Sequence, residues 1–238
     1  MTKIIIIFKK ELQSYFNSPI AYIFLGIFLI FSSWLFFQNF FLAGQAQVRG
    51  FFGVMPWMLL FLVPAITMRS WAEEKRSGTI ELLLTFPIKD QEVVLAKFFS
   101  SLAFILIALA LSLVIPITAS SLGNLDWGPV VGSYFGVIFL ASCYLALGLW
   151  LSSLSKNQIV AFLVTAIICF AFFIISDGLV INSLGGFFGS IFKMIGLSSH
   201  YDNMTRGVFD IRDVVYFGAF SFFFLFLNIK SLASRNWK

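Results

Sequence analysis

The sequence predicts an all-α integral membrane chain in which six transmembrane helices follow an N-terminal helix lying at the membrane interface. Two observations carry this. Of the 238 residues, 60% are hydrophobic and 11% charged, against roughly 25% charged in soluble domains. The apolar residues also gather into six long windows whose interiors hold no Asp, Glu, Lys, Arg or His. About 20 residues at 1.5 Å rise cross about 30 Å of hydrocarbon, so each window is a candidate span. The 32 Phe and an aromatic content of 18% exceed what a core of this size can hide, and the surplus must face lipid. A soluble globule and a disordered chain are both excluded.

Each element follows in order. In residues 1–17, Ile4, Phe8, Leu12 and Tyr15/Phe16 recur at helical spacing, while Lys9, Lys10, Glu11, Gln13 and Ser14 take the other face. That pattern is an interfacial amphipathic helix, and Asn17-Ser18-Pro19 ends it. Spans one and two fall at 20–42 and 51–68; the first is far longer than the apolar core of a signal peptide and reads as a retained anchor. A polar stretch, 69–97, leads to spans three to five at 98–122, 130–154 and 158–176. A long segment, 177–213, precedes the last and shortest span, 214–229, whose Lys230 can snorkel to the interface. No internal repeat divides the chain, so residues 1–238 form one domain.

Orientation follows from the basic residues. With the N-terminus inside, twelve Lys and Arg fall on the cytoplasmic side and four (Arg49, Lys193, Arg206 and Arg212) outside. This asymmetry places both termini in the cytoplasm. The net charge of +5 is thereby explained by the bilayer, and no nucleic-acid partner is expected. Cys143 and Cys169 lie in apolar runs, too few for a disulfide framework or a metal knuckle.

The cytoplasmic stretch has an unusual middle. Ile80, Leu82, Leu83, Leu84 and Phe86 crowd between Gly78 and Pro87. Glycine breaks the preceding helix and proline stops the next, leaving a two-turn helix at 79–85 across the membrane surface. Such a segment fits a groove on another protein, and its spacing equally fits a linker hugging the headgroups.

The run Glu74-x3-Gly78-Thr79-x-Glu81-x-Leu83-x3-Pro87, followed by Glu92 and Lys97, resembles the signature of type-2 ATP-binding-cassette (ABC) exporter permeases. The segment from His200 to Phe217, with Arg206, Gly207, Asp210, Arg212, Asp213 and Tyr216, resembles the outer loop of the branch holding the gliding-motility and NosY-like permeases. The resemblance implies a permease of the bacterial inner membrane that pairs with a second permease chain, as homodimer or heterodimer. It also implies an ABC ATPase partner, with ATP and Mg²⁺ on that subunit and no cofactor on this one. Helix 79–85 would then be the coupling helix. The ATPase contact would comprise Gly78, Thr79, Ile80, Glu81, Leu82 and Leu83, with Glu73, Glu74, Lys75 and Arg76 at the preceding helix end.

Absences agree. No Gly-x4-Gly-Lys-Ser/Thr loop occurs, so ATP hydrolysis would belong to another polypeptide. The lone His200 has no second His to complete a metal site and reads as a structural hydrogen-bonding residue. In the outer segment, residues 179–197 are too apolar for a free loop yet are cut by Asn182, Gly185-Gly186, Gly189 and Gly196. Two short helices dipping into the outer leaflet fit, as does a hairpin that merely caps the bundle. The resemblance implies the re-entrant form. Residues 200–213 read as a surface loop stabilised by its own charges, and equally as a docking site for a periplasmic or membrane partner. A membrane scaffold that recruits an ATPase and transmits force to a periplasmic partner is the alternative to a transporting permease.

Overall fold

The computed structural model describes residues 2–43, 48–79 and 88–234, and every regular element among them is helical. The helices are α1 (Thr2–Phe16), α2 (Pro19–Ala43), α3 (Arg49–Arg76), α4 (Asp90–Ser112), α5 (Val114–Leu122), α6 (Trp127–Leu154), α7 (Gln158–Ile174), α8 (Gly178–Leu184), α9 (Gly186–Ile195), α10 (Leu197–Thr205) and α11 (Ile211–Ala233). Among the described residues, five stretches are long and apolar enough to cross a membrane: Ala21–Gln38, Arg49–Arg76, Asp90–Leu122, Trp127–Leu154 and Ile211–Ala233. The expected span at 158–176 is the 17-residue α7, shorter than these.

α6 is the central helix, packed against α3, α4, α7, α10 and α11. Its small residues make that possible, because membrane helices approach closely only where side chains are small. A Cβ on Gly148 would sit 2.4 Å from Thr67 Oγ1 and 3.1 Å from Thr165 Cγ2, so α3, α6 and α7 meet at this one point. A Cβ on Gly132 would sit 2.7 Å from the Met204 carbonyl oxygen, which makes the Gly132-x3-Gly136 pair the seat of α10. Against α11 the seam is polar and aromatic: Ser142 and Ser221 are hydrogen-bonded at 3.2 Å, and Phe139 stacks on Phe217. α1 lies along α4 and α2. Its apolar stripe of Ile4, Phe8, Leu12, Tyr15 and Phe16 packs on the core, the face that the periodicity picks out.

The third apolar window is not one straight helix. α4 starts at Asp90, eight residues before the expected span, and the chain breaks at Leu113 before α5. Pro116 has no N–H to bond the Ser112 carbonyl, and its ring crowds that oxygen. Likewise α3 runs on through the charged residues to Arg76, because Glu74 and Lys75 pack against other helices.

At the opposite end of the bundle from Arg76, α8 and α9 meet at Gly185 and Gly186, whose φ angles of +57° and +53° only glycine adopts freely. Residues 200–213 differ from the expected surface loop: α10 buries Leu197, Tyr201 and Met204 against α6, and Asp213 is buried too. The polar side chains between these residues mask a one-sided apolar stripe with helical spacing.

Candidate functional site

The charged end of the bundle is built around Lys97. This side chain, 1% exposed, sits about two turns into α4 and directs its ammonium at three acceptors. Glu74 Oε1 of α3 lies at 2.7 Å, the Ser70 carbonyl at 3.0 Å and Glu11 Oε1 of α1 at 3.1 Å, so all three protons are used. The ammonium also sits 4.8 Å from the centre of the Trp71 ring. One turn along α4, Ser101 donates to the Lys97 carbonyl and pairs with the Tyr15 hydroxyl at 2.9 Å. Burial there pushes the Tyr15 phenol up to about 12, partly offset by that hydrogen bond.

A second set of contacts ties the end of α3 to the end of α6. The backbone N–H groups of Trp71 and Ala72 reach Ser152 Oγ, and Lys75 Nζ donates to the Ser153 carbonyl. α3 then closes with Ser77 Oγ donating to the Glu73 carbonyl at 2.9 Å, and Gly78 follows at φ +72°. On the far side of residues 80–87, α4 opens with a reciprocal cap. Glu92 Oε2 accepts from the Lys89 N–H at 3.1 Å, and the Glu92 N–H reaches the Lys89 carbonyl. Both stems of the segment 80–87 are therefore fixed, and Lys97 joins them.

The residues expected to face a partner divide into two groups. Glu73, Arg76, Gly78 and Thr79 are exposed, whereas Glu74 and Lys75 turn inward and hold α3 in place. Ile80, Glu81, Leu82 and Leu83, with the rest of the expected helix 79–85 after Thr79, lie outside the described residues. Glu11, Tyr15 and Ser101 were not predicted as site residues. The available signal was a lysine at the edge of an apolar run with carboxylates on the two flanking polar segments.

At the other end, His200 and Asp213 come together. His200 Nδ1 is 2.6 Å from Asp213 Oδ1, and Asn203 Nδ2 donates to Asp213 Oδ2 at 3.1 Å. The ring stacks on Tyr216, and its Nε2 lies 3.3 Å from the Met194 carbonyl. Asp210 caps α11 through the Arg212 N–H, and Gly207 passes against Pro129. Arg206, Asp210 and Arg212 are exposed. Arg206 lines a separate cleft with Arg49, where burial lifts the Asp202 carboxyl above its ordinary range against the pull of Arg206. Among the described residues no group of His, Cys, Asp and Glu is arranged to hold a metal ion.

A family model described as an ABC-2 family transporter protein matches residues 5–188, from α1 into α9, and takes in Glu11, Glu74 and Lys97 together. The chain belongs to the ABC-2 transporter family. It is thus a multi-pass membrane protein and a transmembrane permease subunit of an ABC transporter. ABC-2 membership implies association with an ABC ATPase, in keeping with the lack of a phosphate-cradling loop in this chain. No curated protein matches it.

Proposed function

We propose that this ABC-2 permease is of the type-2 exporter class and that its segment 79–85 docks on the ATPase subunit, converting ATP-driven movement into motion of α3 and α4. The observation that carries this reading is the Lys97 clamp. Because Glu74, Ser70 and Glu11 all bind one ammonium, a push on the tip between α3 and α4 moves both stems and α1 as a unit. The contact surface is exposed Glu73, Arg76, Gly78 and Thr79 with the apolar anchors Ile80, Leu82 and Leu83 and the acidic Glu81. Glu74 and Lys75 serve as its internal supports.

In this reading α7 completes six spans, since 17 residues rise about 25 Å, the lower limit for crossing. Both termini are cytoplasmic in the bacterial inner membrane, and α8 and α9 close the outer end. Two permease chains form the route, and ATP and Mg²⁺ stay on the ATPase. The His200–Asp213 segment supports the gliding-motility branch of the family. The test is co-purification with the ABC ATPases of the same cell, together with stimulated ATPase activity. Ile80→Asp and Leu83→Asp are expected to abolish the complex or its stimulation while the spans stay folded; an intact complex with unchanged stimulation in both variants would refute the contact.

A further inference from the structure

α3 carries two prolines, Pro56 and Pro64, inside its 28 residues. Pro56 has no N–H with which to bond the carbonyl of Phe52, one turn before it. Phe52 is 1% exposed, and a buried acceptor left unpaired is costly. The missing donor comes from a residue 149 positions away: the hydroxyl of Tyr201, buried on α10, donates to the Phe52 carbonyl at 2.6 Å. Because α10 packs chiefly on α6 and α7, this bond ties those helices to the first two turns of α3.

Those two turns are loosely built. Val48 at their start offers no side-chain cap, and Gly50 and Gly53 are poor helix formers with open space where a Cβ would stand. Phe51 and Phe52 meet the rings of Phe36 and Tyr134, but apolar contact of this kind is non-directional. Tyr201 supplies the directional restraint. Phe52 lines a cleft of about 270 Å³ and Tyr201 an adjoining one of about 230 Å³, so water reaches the carbonyl once the bond parts.

α10, by contrast, is fixed without help from α3. The Ser199 N–H reaches Ser176 Oγ beyond the end of α7 at 3.2 Å, and Ser199 Oγ donates to the Lys193 carbonyl at 2.7 Å. On α6, a Cβ at Gly132 would sit 2.7 Å from the Met204 carbonyl oxygen, so α10 lies directly on that helix. The donor therefore stands still while the acceptor lies on turns that can move.

We propose that Pro56 is a hinge in α3 and Tyr201 its latch. With the bond made, residues 49–55 are held beside α10; with it broken, they swing on Pro56 and widen the clefts between the two helices. The inference goes beyond the docking of an ATPase, and because it rests on α3 and α10 alone it stands or falls separately.

The test is hydrogen exchange of the purified full chain in mild-detergent micelles, read by mass spectrometry of overlapping peptic fragments. Tyr201→Phe keeps the ring and removes the donor, and the amides of residues 52–55 are expected to exchange about fivefold faster, the weight of one hydrogen bond. Adding Pro56→Ala to that chain supplies the missing N–H at position 56 and abolishes the acceleration. Pro56→Ala alone slows the same amides about fivefold, which tests the hinge even if Tyr201→Phe fails to fold; Pro64→Ala leaves them unchanged. If Tyr201 served only to seat α10 on α6, its replacement would speed exchange in residues 197–205 and Pro56→Ala would cure nothing. The proposal is overturned by unchanged exchange of residues 52–55 in Tyr201→Phe, by acceleration that persists undiminished in the double variant, by Pro56→Ala alone exchanging as fast as the unaltered chain, or by an equal slowing in Pro64→Ala.

Discussion

Replacing Lys97 with Met keeps the length of the side chain and removes its charge, leaving Glu11 and Glu74 facing each other without a cation. The two carboxylates lie 3.1 and 2.7 Å from the ammonium and are 15% and 19% exposed. At an effective dielectric of about 20, each attraction is worth about 5–6 kcal/mol before desolvation is charged against it. Removing one member of a buried pair costs about 3–5 kcal/mol, because the orphaned charge is the expensive part. Two half-shielded carboxylates can recover some hydration, so the lower end, about 3 kcal/mol, is expected. In a chain of this length that lowers Tm by about 6–12 °C, read by intrinsic fluorescence on heating in mild-detergent micelles. Lys97→Arg, which preserves the charge, loses less than half of this. Glu11→Gln combined with Lys97→Met recovers part of the loss by neutralising one orphan, and the double-mutant cycle isolates the coupling. A Tm for Lys97→Met within about 2 °C of the unaltered chain would refute the argument that this triad binds α1, α3 and α4 together.

Gly148→Ala is expected to cost about 1–3 kcal/mol by overpacking, since the new methyl would sit 2.4 Å from Thr67 Oγ1; Thr67→Ala in the same chain recovers part of the loss, measured as Tm. The Tyr15 phenol, raised to about 12 by burial, stays protonated when exposed tyrosines ionise, so the absorbance titration of the Tyr15→Phe variant lacks one late step. The sign follows from linkage: a folded value above the unfolded one gives stability fully present below pH 10 and lost as pH climbs through about 12. Stability of Tyr15→Phe should accordingly fall less than that of the unaltered chain between those limits.

Hydropathy located the long helices well because a bilayer rewards the same property all round a helix, and each window of apolar residues is a local fact. The stripe of α1 was equally legible: Ile4, Phe8, Leu12 and Tyr15/Phe16 are one face of one helix, and that face packs on the core. Helix ends were less legible. Charge alone placed the end of the second window at residue 68, yet α3 reaches Arg76, because Glu74 and Lys75 find partners on α4 and α6. A polar residue that is paired in the fold has the same letter as one facing water. The partition of the expected ATPase contact into exposed Glu73 and Arg76 and inward Glu74 and Lys75 is that same ambiguity resolved.

By itself the sequence determined that this protein is helical, resides in a membrane, begins with an amphipathic helix and contains no Gly-x4-Gly-Lys-Ser/Thr loop. These are properties of composition, periodicity and short motifs, each contained within one stretch of chain. Only the tertiary structure decided that Glu11 and Ser101 join Glu74 and Lys97 in one clamp, that His200 meets Asp213, and that Gly148 is the point where three helices touch. Lys97 is 86 residues from Glu11 and 23 from Glu74. Which of many separated charges meet is set by how the helices cross, which no single stretch of chain contains.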